Sequence, residues 1–484
     1  MAQFPLPRIF RLNPRTSQRR STPDRGARRY RPRVEPLEDR MLPSTFVVTS
    51  HNDSGPGSLR TAILSVNADP SLSLDTIDFN IPPTAPPFIN LTSPLPVITH
   101  QVFIDGTSQF GFMGTPIVEL NGAAAPGATG LVIRATGAVN PFVGAIKALK
   151  IDNFSTGIRI LDAGSSTPAN MQLVNNSIVS TPGGSGIVFL AGTADTTALF
   201  MKNAITTAGM GHGIAALTAG TTDKLTFAGN TIMTSGGGDG IIAQGTATST
   251  FLTFNTNTLV VNTGGQGIAL STSPNSTAAA FITNTITTMG GGHGVAIATA
   301  GKSTVFNFSG NTVHASGGGD AIKVSGNALA NSLTFTSNQL FAKSGADALV
   351  LTLSTSSNTN AHVVNNVLNT SSLGRGLVLQ GGPTFQALVQ GNNCNTNRVG
   401  VAVIGDGTTA GNVDLGGGSL GSTGGNIFTT FFSATPMSYA IGLFHVATSY
   451  AMHAMLNMFS VPPTAVIADA THDTGALGSG SILT

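Results

Sequence analysis

The chain has no tryptophan, one cysteine and charged side chains at only 9% of its 484 positions. A single cysteine, Cys394, excludes an intramolecular disulfide framework and any cysteine-cluster metal site. Residues 1–40 hold 11 of the 23 basic residues and 4 of the 21 acidic ones. The remainder therefore carries 12 basic and 17 acidic residues, a net charge of −5, and Glu119 is its only glutamate. The basic pI belongs to the first 40 residues, so the body gives no electrostatic reason to expect nucleic acid. A body this poor in Glu, Lys and Arg lacks the usual material of exposed helices. What it has is Gly, at 60 positions, with abundant Thr, Asn and Ser, a composition of strands and turns.

Residues 1–43 read as a disordered basic leader or sorting segment, rich in Arg and Pro. No apolar run of signal-peptide length follows its paired arginines. Residues 44–129 read as an N-terminal cap with the first irregular coils. Phe46–Ser50 alternates as a short strand, and Asn52–Gly57 is a turn cluster. Ser58 suits a helix N-cap, after which Leu59, Ala62, Ile63 and Val66 fall on one face of a short amphipathic helix.

From residue 130 onward the dominant signal is an internal repeat. Asn176, Asn203, Asn230, Asn257, Asn284, Asn311, Asn338, Asn366 and Asn393 recur at intervals of 27, with a single 28. Three residues earlier stand Leu173, then Phe200, Phe227, Phe254, Phe281, Phe308 and Phe335, then Val363. Each unit parses as three short strands, such as Gly213–Leu217, Lys224–Ala228 and Thr231–Thr234. Gly229-Asn230 makes the turn between the last two, where Asn tolerates a left-handed conformation. Apolar residues alternate within the strands, so one face is buried and the other wet. Residues 27 apart then stack about 4.8 Å from one another. The phenylalanines become a column of rings, and the asparagines a column of amides.

The reading is an all-β fold: a right-handed parallel β-helix with three strands per coil and ten or more 27-residue coils. A short helix caps its N-terminal end. It occupies residues 130–484, with an insertion near 404–436. A larger period is visible in MGHGIA (210–215) and GGHGVA (291–296), 81 residues or three coils apart, which marks a duplicated three-coil block. Leu415–Ala468 carries no charge, and Met437–Val461 has the apolarity of a membrane helix. Yet Ile441 and Asn457 keep the 16-residue interval of Ile214 and Asn230, with Met452, Ala454 and Phe459 at inward positions. That segment reads as the last coil, and no membrane span is expected.

Chemistry has few places to sit. The outward first-strand positions, from Val188 and Ala215 to Lys323 and Val378, hold no acid cluster. A polar column precedes them at the corner: Ser185, His212, Asp239, Gln266, His293, Asp320, Asp347 and Arg375. Asp320, Asp347, His293 and Arg375 are the candidate catalytic residues, because two neighbouring carboxylates raise one another's pKa as acid catalysis requires. Asp239, Asp320 and Asp347 are the candidate ligands of a hard cation such as calcium. The plainer expectation is that corners face water and these are solvated side chains. No organic cofactor is indicated. Thr231, Thr258, Thr285 and Thr312 form an outward threonine column, read as β-propensity.

Three resemblances add to this. Val34–Ser44 (VEPLEDRMLPS) resembles the LEPR-x-LL-S type N-terminal motif of large planctomycete surface and extracellular proteins, with Asp39 before Arg40 and Pro43 in place of the second leucine. NDSGPGSLRTAI (52–63) is similar to a segment that opens many bacterial surface β-helix proteins. The repeat resembles the pectate-lyase-like right-handed β-helix superfamily. Together they imply an extracellular or cell-surface location. The favoured function is a monomeric, non-catalytic structural β-helix with a polysaccharide or cell-surface partner. The alternative is a polysaccharide lyase or glycoside hydrolase of that superfamily. The lack of tryptophan, with only Tyr439 and Tyr450 beyond the leader, argues against a sugar-cleaving groove.

Overall fold

The computed structural model describes residues 43–135, 141–161, 168–271, 275–371, 373–395, 398–405, 411–428, 439–446, 450–459, 467–468 and 481–483. Residues 1–42 of the leader lie outside them. The body is a parallel β-solenoid consistent with a right-handed parallel β-helix. One face is a sheet of sixteen parallel strands, from Thr45–Val48 to Ser481–Leu483. The other two faces are joined by two long bent strands, Leu149–Leu161 and Ser177–Leu190, which run from the third-strand face around a corner into the first-strand face. Through the central coils the register is 27 on all three faces: Ile214 pairs with Ile241, Phe227 with Phe254, and Ile232 with Leu259.

The expected aromatic column forms. Phe200, Phe227, Phe254, Phe281, Phe308 and Phe335 stack in sequence with ring centroids 4.2–4.9 Å apart and planes within 11° of parallel. The strand spacing sets that separation, and each fully buried ring contributes about 1.5–3 kcal/mol of burial. The small residue of the repeat also has a cause. A Cβ on Gly213 would lie 2.3 Å from Ile232 Cγ2 and 2.5 Å from the Gly240 carbonyl oxygen, so the first strand packs tightly over the third.

The amide column is the most completely bonded feature of the interior. Asn230 Nδ2 donates to the Phe200 carbonyl at 2.8 Å and to Asn257 Oδ1 at 2.9 Å. Its own Oδ1 accepts from the Asn203 backbone N–H and from Asn203 Nδ2, both at 3.0 Å. Both donors and both acceptor sites of the amide are thus filled. The pattern repeats from Asn203 through Asn366, and Asn176 starts the ladder with its Oδ1 accepting the Leu149 N–H. It then departs from the expected register. The next member is Asn392, 26 residues on, and the ladder continues through Asn426 to Asn457. Asn393 instead starts the third strand opposite Val367. The coil is one residue short here, and strand alternation aims Asn392 inward.

The left-handed residue is also not the asparagine. Positive φ falls on the residue before it: Gly229 (62°), Asn175 (55°), Lys202 (55°), Thr256 (52°), Thr283 (50°) and Ser337 (57°). The asparagine is kept for its side-chain amide, and the turn strain is carried one position earlier. A further column is made by hydroxyls. Ser180, Thr207, Thr234, Thr288 and Thr370 each donate to the carbonyl four residues on, at 2.7–3.0 Å, closing the corner between third and first strands.

At the N-terminal end, Leu59–Ala68 is the single α-helix among the described residues. Ser58 Oγ accepts from the Thr61 N–H, and Leu59, Ala62, Ile63 and Val66 are buried, as the pattern implied. The first strand is tied down by a charged clasp. The Ser44 N–H donates to buried Asp75, and the Ser44 hydroxyl donates to Asp69. His100 has the Gln101 carbonyl at 2.9 Å from Nδ1 and the Ser71 carbonyl at 2.7 Å from Nε2, an arrangement that favours a proton on each nitrogen. Burial opposes that charge, but the two carbonyls with Asp75 and Asp69 outweigh it and hold the His100 pKa above its ordinary value.

At the other end, the stretch near 404–436 supplies strands Asn412–Gly416 and Ile427–Phe428, both paired in the stack. Buried Asp414 gathers the glycine-rich loop by accepting the backbone N–H groups of Gly416, Gly418, Leu420 and Ser422. The apolar segment after Met437 forms strands Tyr439–Phe444, Ala451–Ala454 and Met458–Phe459. Among the described residues no helix is long and apolar enough to cross a membrane. This coil is not the last: Ile467–Ala468 and Ser481–Leu483 pair against it. No Asn anchor follows Asn457, so the repeat spacing carries no mark of this further coil. Cys394 is fully buried at the third-strand position of Leu368, where burial pushes its thiol up to about 12 and makes it inert.

Two outcomes follow from the ladder and the turn. Asn257→Leu strands several buried donors and acceptors and should destabilise the fold by about 3 kcal/mol or more in denaturant titration. Asn392→Ala should be far more damaging than Asn393→Ala in the same assay. Conversely, Thr283→Gly relieves a β-branched residue from a left-handed turn. It should stabilise by up to about 1 kcal/mol, read as a raised denaturation midpoint.

Candidate functional site

The polar corner column assembles as a continuous chain of contacts. Each side chain accepts the backbone N–H of its counterpart in the next coil. Ser185 Oγ accepts from His212 at 3.2 Å, His212 Nδ1 from Asp239 at 3.1 Å, and Asp239 Oδ1 from Gln266 at 2.7 Å. Gln266 Oε1 accepts from His293 at 2.6 Å, and His293 Nδ1 from Asp320 at 2.8 Å. Asp320 Oδ1 accepts from Asp347 at 2.9 Å, and Asp347 Oδ1 from Arg375 at 2.7 Å. Arg375 closes the series, donating from Nε and Nη2 to both Asp347 oxygens.

The column is half-buried rather than freely solvated: the side chains of His212 and Arg375 are 33% and 35% exposed. The side chains of Asp239, Asp320 and Asp347 are only 14%, 13% and 11% exposed. The corner curls so that the first atom able to accept a hydrogen bond sits beneath the next coil's amide. Acceptor geometry selects the residue types: Ser, His, Asp and Gln all present one. The column is thus a third polar ladder beside the amides and hydroxyls.

The imidazoles are constrained by it. Nδ1 of His212 and of His293 accepts an amide proton, so in the neutral ring the proton is on Nε2. The facing carboxylates, Asp239 Oδ2 at 3.3 Å and Asp320 Oδ2 at 3.4 Å, receive no hydrogen bond from that nitrogen in this tautomer. Burial lowers the pKa of His293, with Lys323 adding to the effect against the pull of Asp320. Burial raises the pKa of Asp320, joined by the charge of Asp347, while the Asp347 amide, His293 and Lys323 act the other way. Among the described residues no three His, Cys, Asp or Glu side chains converge as metal ligands would. Asp239, Asp320 and Asp347 are strung along the axis, each turned to the next coil's amide, rather than gathered on one point.

Beside this column the first-strand face is an open, shallow trough. One hollow of about 320 Å³ is lined by His293, Lys323, Gln244, Ala269, Ala296 and Ser325. A second, of about 230 Å³, is lined by His212, Ala215, Ile242, Leu217 and Gln244. Beyond Lys323 the face closes: Val350, Val378, Val399 and Ala402 are buried in a separate apolar cluster with Ile404 and Phe444 against it. The sequence located Lys323 on this face but gave no role to Gln244 or Ser325. Their signal was present as a second outward column, two residues after the first. Thr231, Thr258 and Thr285 are exposed on the third face and Thr312 is half-buried, but the column beside them mixes Met233, Val260, Thr287 and His314. No protein-family model and no curated protein matches this chain.

The raised Asp320 pKa has a measurable sign. A carboxylate whose folded pKa lies above its unfolded value binds more protons folded than unfolded in the window between them. Stability therefore falls as pH rises from about 3.8 through the folded value. Asp320→Asn keeps the acceptor for the Asp347 amide and removes the titration. The variant should gain stability relative to wild type as pH rises through that window in parallel thermal melts.

Proposed function

We propose that this chain is a secreted or cell-surface structural β-helix whose open first-strand face makes non-catalytic contact with a polysaccharide or another cell-surface component. The observation that carries the reading is the commitment of the reactive side chains. Asp239, Asp320 and Asp347 each give an oxygen to a backbone amide, Asp347 is clamped by Arg375, and both histidines use Nδ1 the same way. The general base of a lyase or the acid and nucleophile of a glycosidase must be free to move protons at the substrate. What the trough offers a ligand instead is small apolar surface with Gln244, Ser325 and Lys323. Such a lining suits weak, repeated contact along an extended chain. The leader motif and the NDSGPGSLRTAI segment support a location outside the cell. Calcium is not required by this reading.

The test is a panel of neutral and acidic polysaccharides, with the full chain, with and without a calcium chelator, scored for both binding and chain shortening. Binding without shortening is expected, unaffected by Asp320→Asn with Asp347→Asn and weakened by Lys323→Ala. Depolymerisation that the double variant abolishes would replace this reading with the lyase or hydrolase one.

A further inference from the structure

The three-coil duplication places two copies of one arrangement on the open face. His212 with Asp239 and His293 with Asp320 are related by 81 residues. Both imidazoles accept the next coil's amide proton at Nδ1, both lie 3.3–3.4 Å from a carboxylate oxygen, and each lines one of the two hollows. Gln244 borders both. The coil between them has Gln266 at the corner, so the arrangement is not repeated on every rung. Three rungs separate the two histidines by about 14 Å along the solenoid axis.

We propose that His212 and His293 are paired recognition points that hold one linear polysaccharide chain at two places along the axis. The proposal deepens, and rests on, the glycan-binding reading above. With Nδ1 taken by the backbone amide, each ring has Nε2–H as its donor to a ligand, which matches the hydroxyl or carboxylate oxygens such a polymer presents at regular intervals. The copies are not identical. Ile242 in the first occupies the position of Lys323 in the second, so the His293 hollow adds a cation and gives the trough a direction. Each hollow alone is shallow and weak. A chain long enough to reach both converts the second contact into an intramolecular one, and affinity rises without any new type of contact.

The experiment uses the full chain and a length series of oligosaccharides cut from whichever polysaccharide binds in the panel. Affinity should step up by roughly 100-fold once the oligosaccharide spans about 14 Å. His212→Asn and His293→Asn keep a corner acceptor, as the aspartates at the same column do, and thermal melts check that both variants fold. Either substitution alone should abolish the step and leave long and short oligosaccharides with equal affinity. A smooth rise with length, or equal losses at every length, would overturn the two-point model while leaving glycan binding intact. If nothing in the panel binds, both readings fall together.

Discussion

The fold depends on one constraint: a buried primary amide needs partners for its two protons and its oxygen, and along this ladder the neighbouring coils in register supply them. Each ladder asparagine from Asn203 through Asn392 gives two protons and accepts two, with partners in the coils on either side. A slip of one residue on the second face would point the next amide outward and leave buried donors and acceptors empty, at about 1–3 kcal/mol each. The phenylalanine column adds attraction but little specificity, since apolar side chains tolerate small shifts. The amides choose the register, and the rings then stack at the spacing it sets.

The same economy explains why so few polar groups are left for chemistry. A 27-residue coil has three corners, and each must satisfy backbone groups that no strand pairing reaches. At one corner the amide ladder does this, and at another the hydroxyls of Thr207, Thr234, Thr288 and their equivalents do. Next to the hydroxyl corner, the Ser185-to-Arg375 column caps the amides of successive coils. His, Asp and Gln are interchangeable there because each offers an acceptor at a suitable reach. Residues that look catalytic in a linear reading are thereby held as acceptors, and the trough is left with apolar side chains, Gln244, Ser325, Lys323 and the edges of His212 and His293.

Much of this was legible before any coordinates. The period, the three strands, the phenylalanine column and the capping helix followed from spacing and alternation, because they repeat with little variation. What was not legible involves one-residue decisions. Asn392 and Asn393 are adjacent, and only the shortened coil shows which one faces inward. Composition points to the asparagine as the left-handed turn residue because asparagine tolerates it, whereas the structure places it one position earlier, on Thr256, Thr283 or Lys202, residues with no such preference. The corner column was recognised as a column, but side-chain direction decides between water and a backbone amide, and periodicity carries no information about that. The continuation past Phe459 carries no Asn anchor, so the repeat spacing does not reveal it.

The central claim is that the asparagine amides from Asn203 through Asn392 are fully bonded and buried. Selective ¹⁵N labelling of asparagine, followed by hydrogen exchange of the side-chain NH₂ groups, tests it most directly. The amides of Asn203 through Asn366 in the ladder should exchange only with global unfolding, while those of exposed Asn358 and Asn360 exchange at unprotected rates. Ladder amides that exchange as fast as Asn358 and Asn360 would contradict the account.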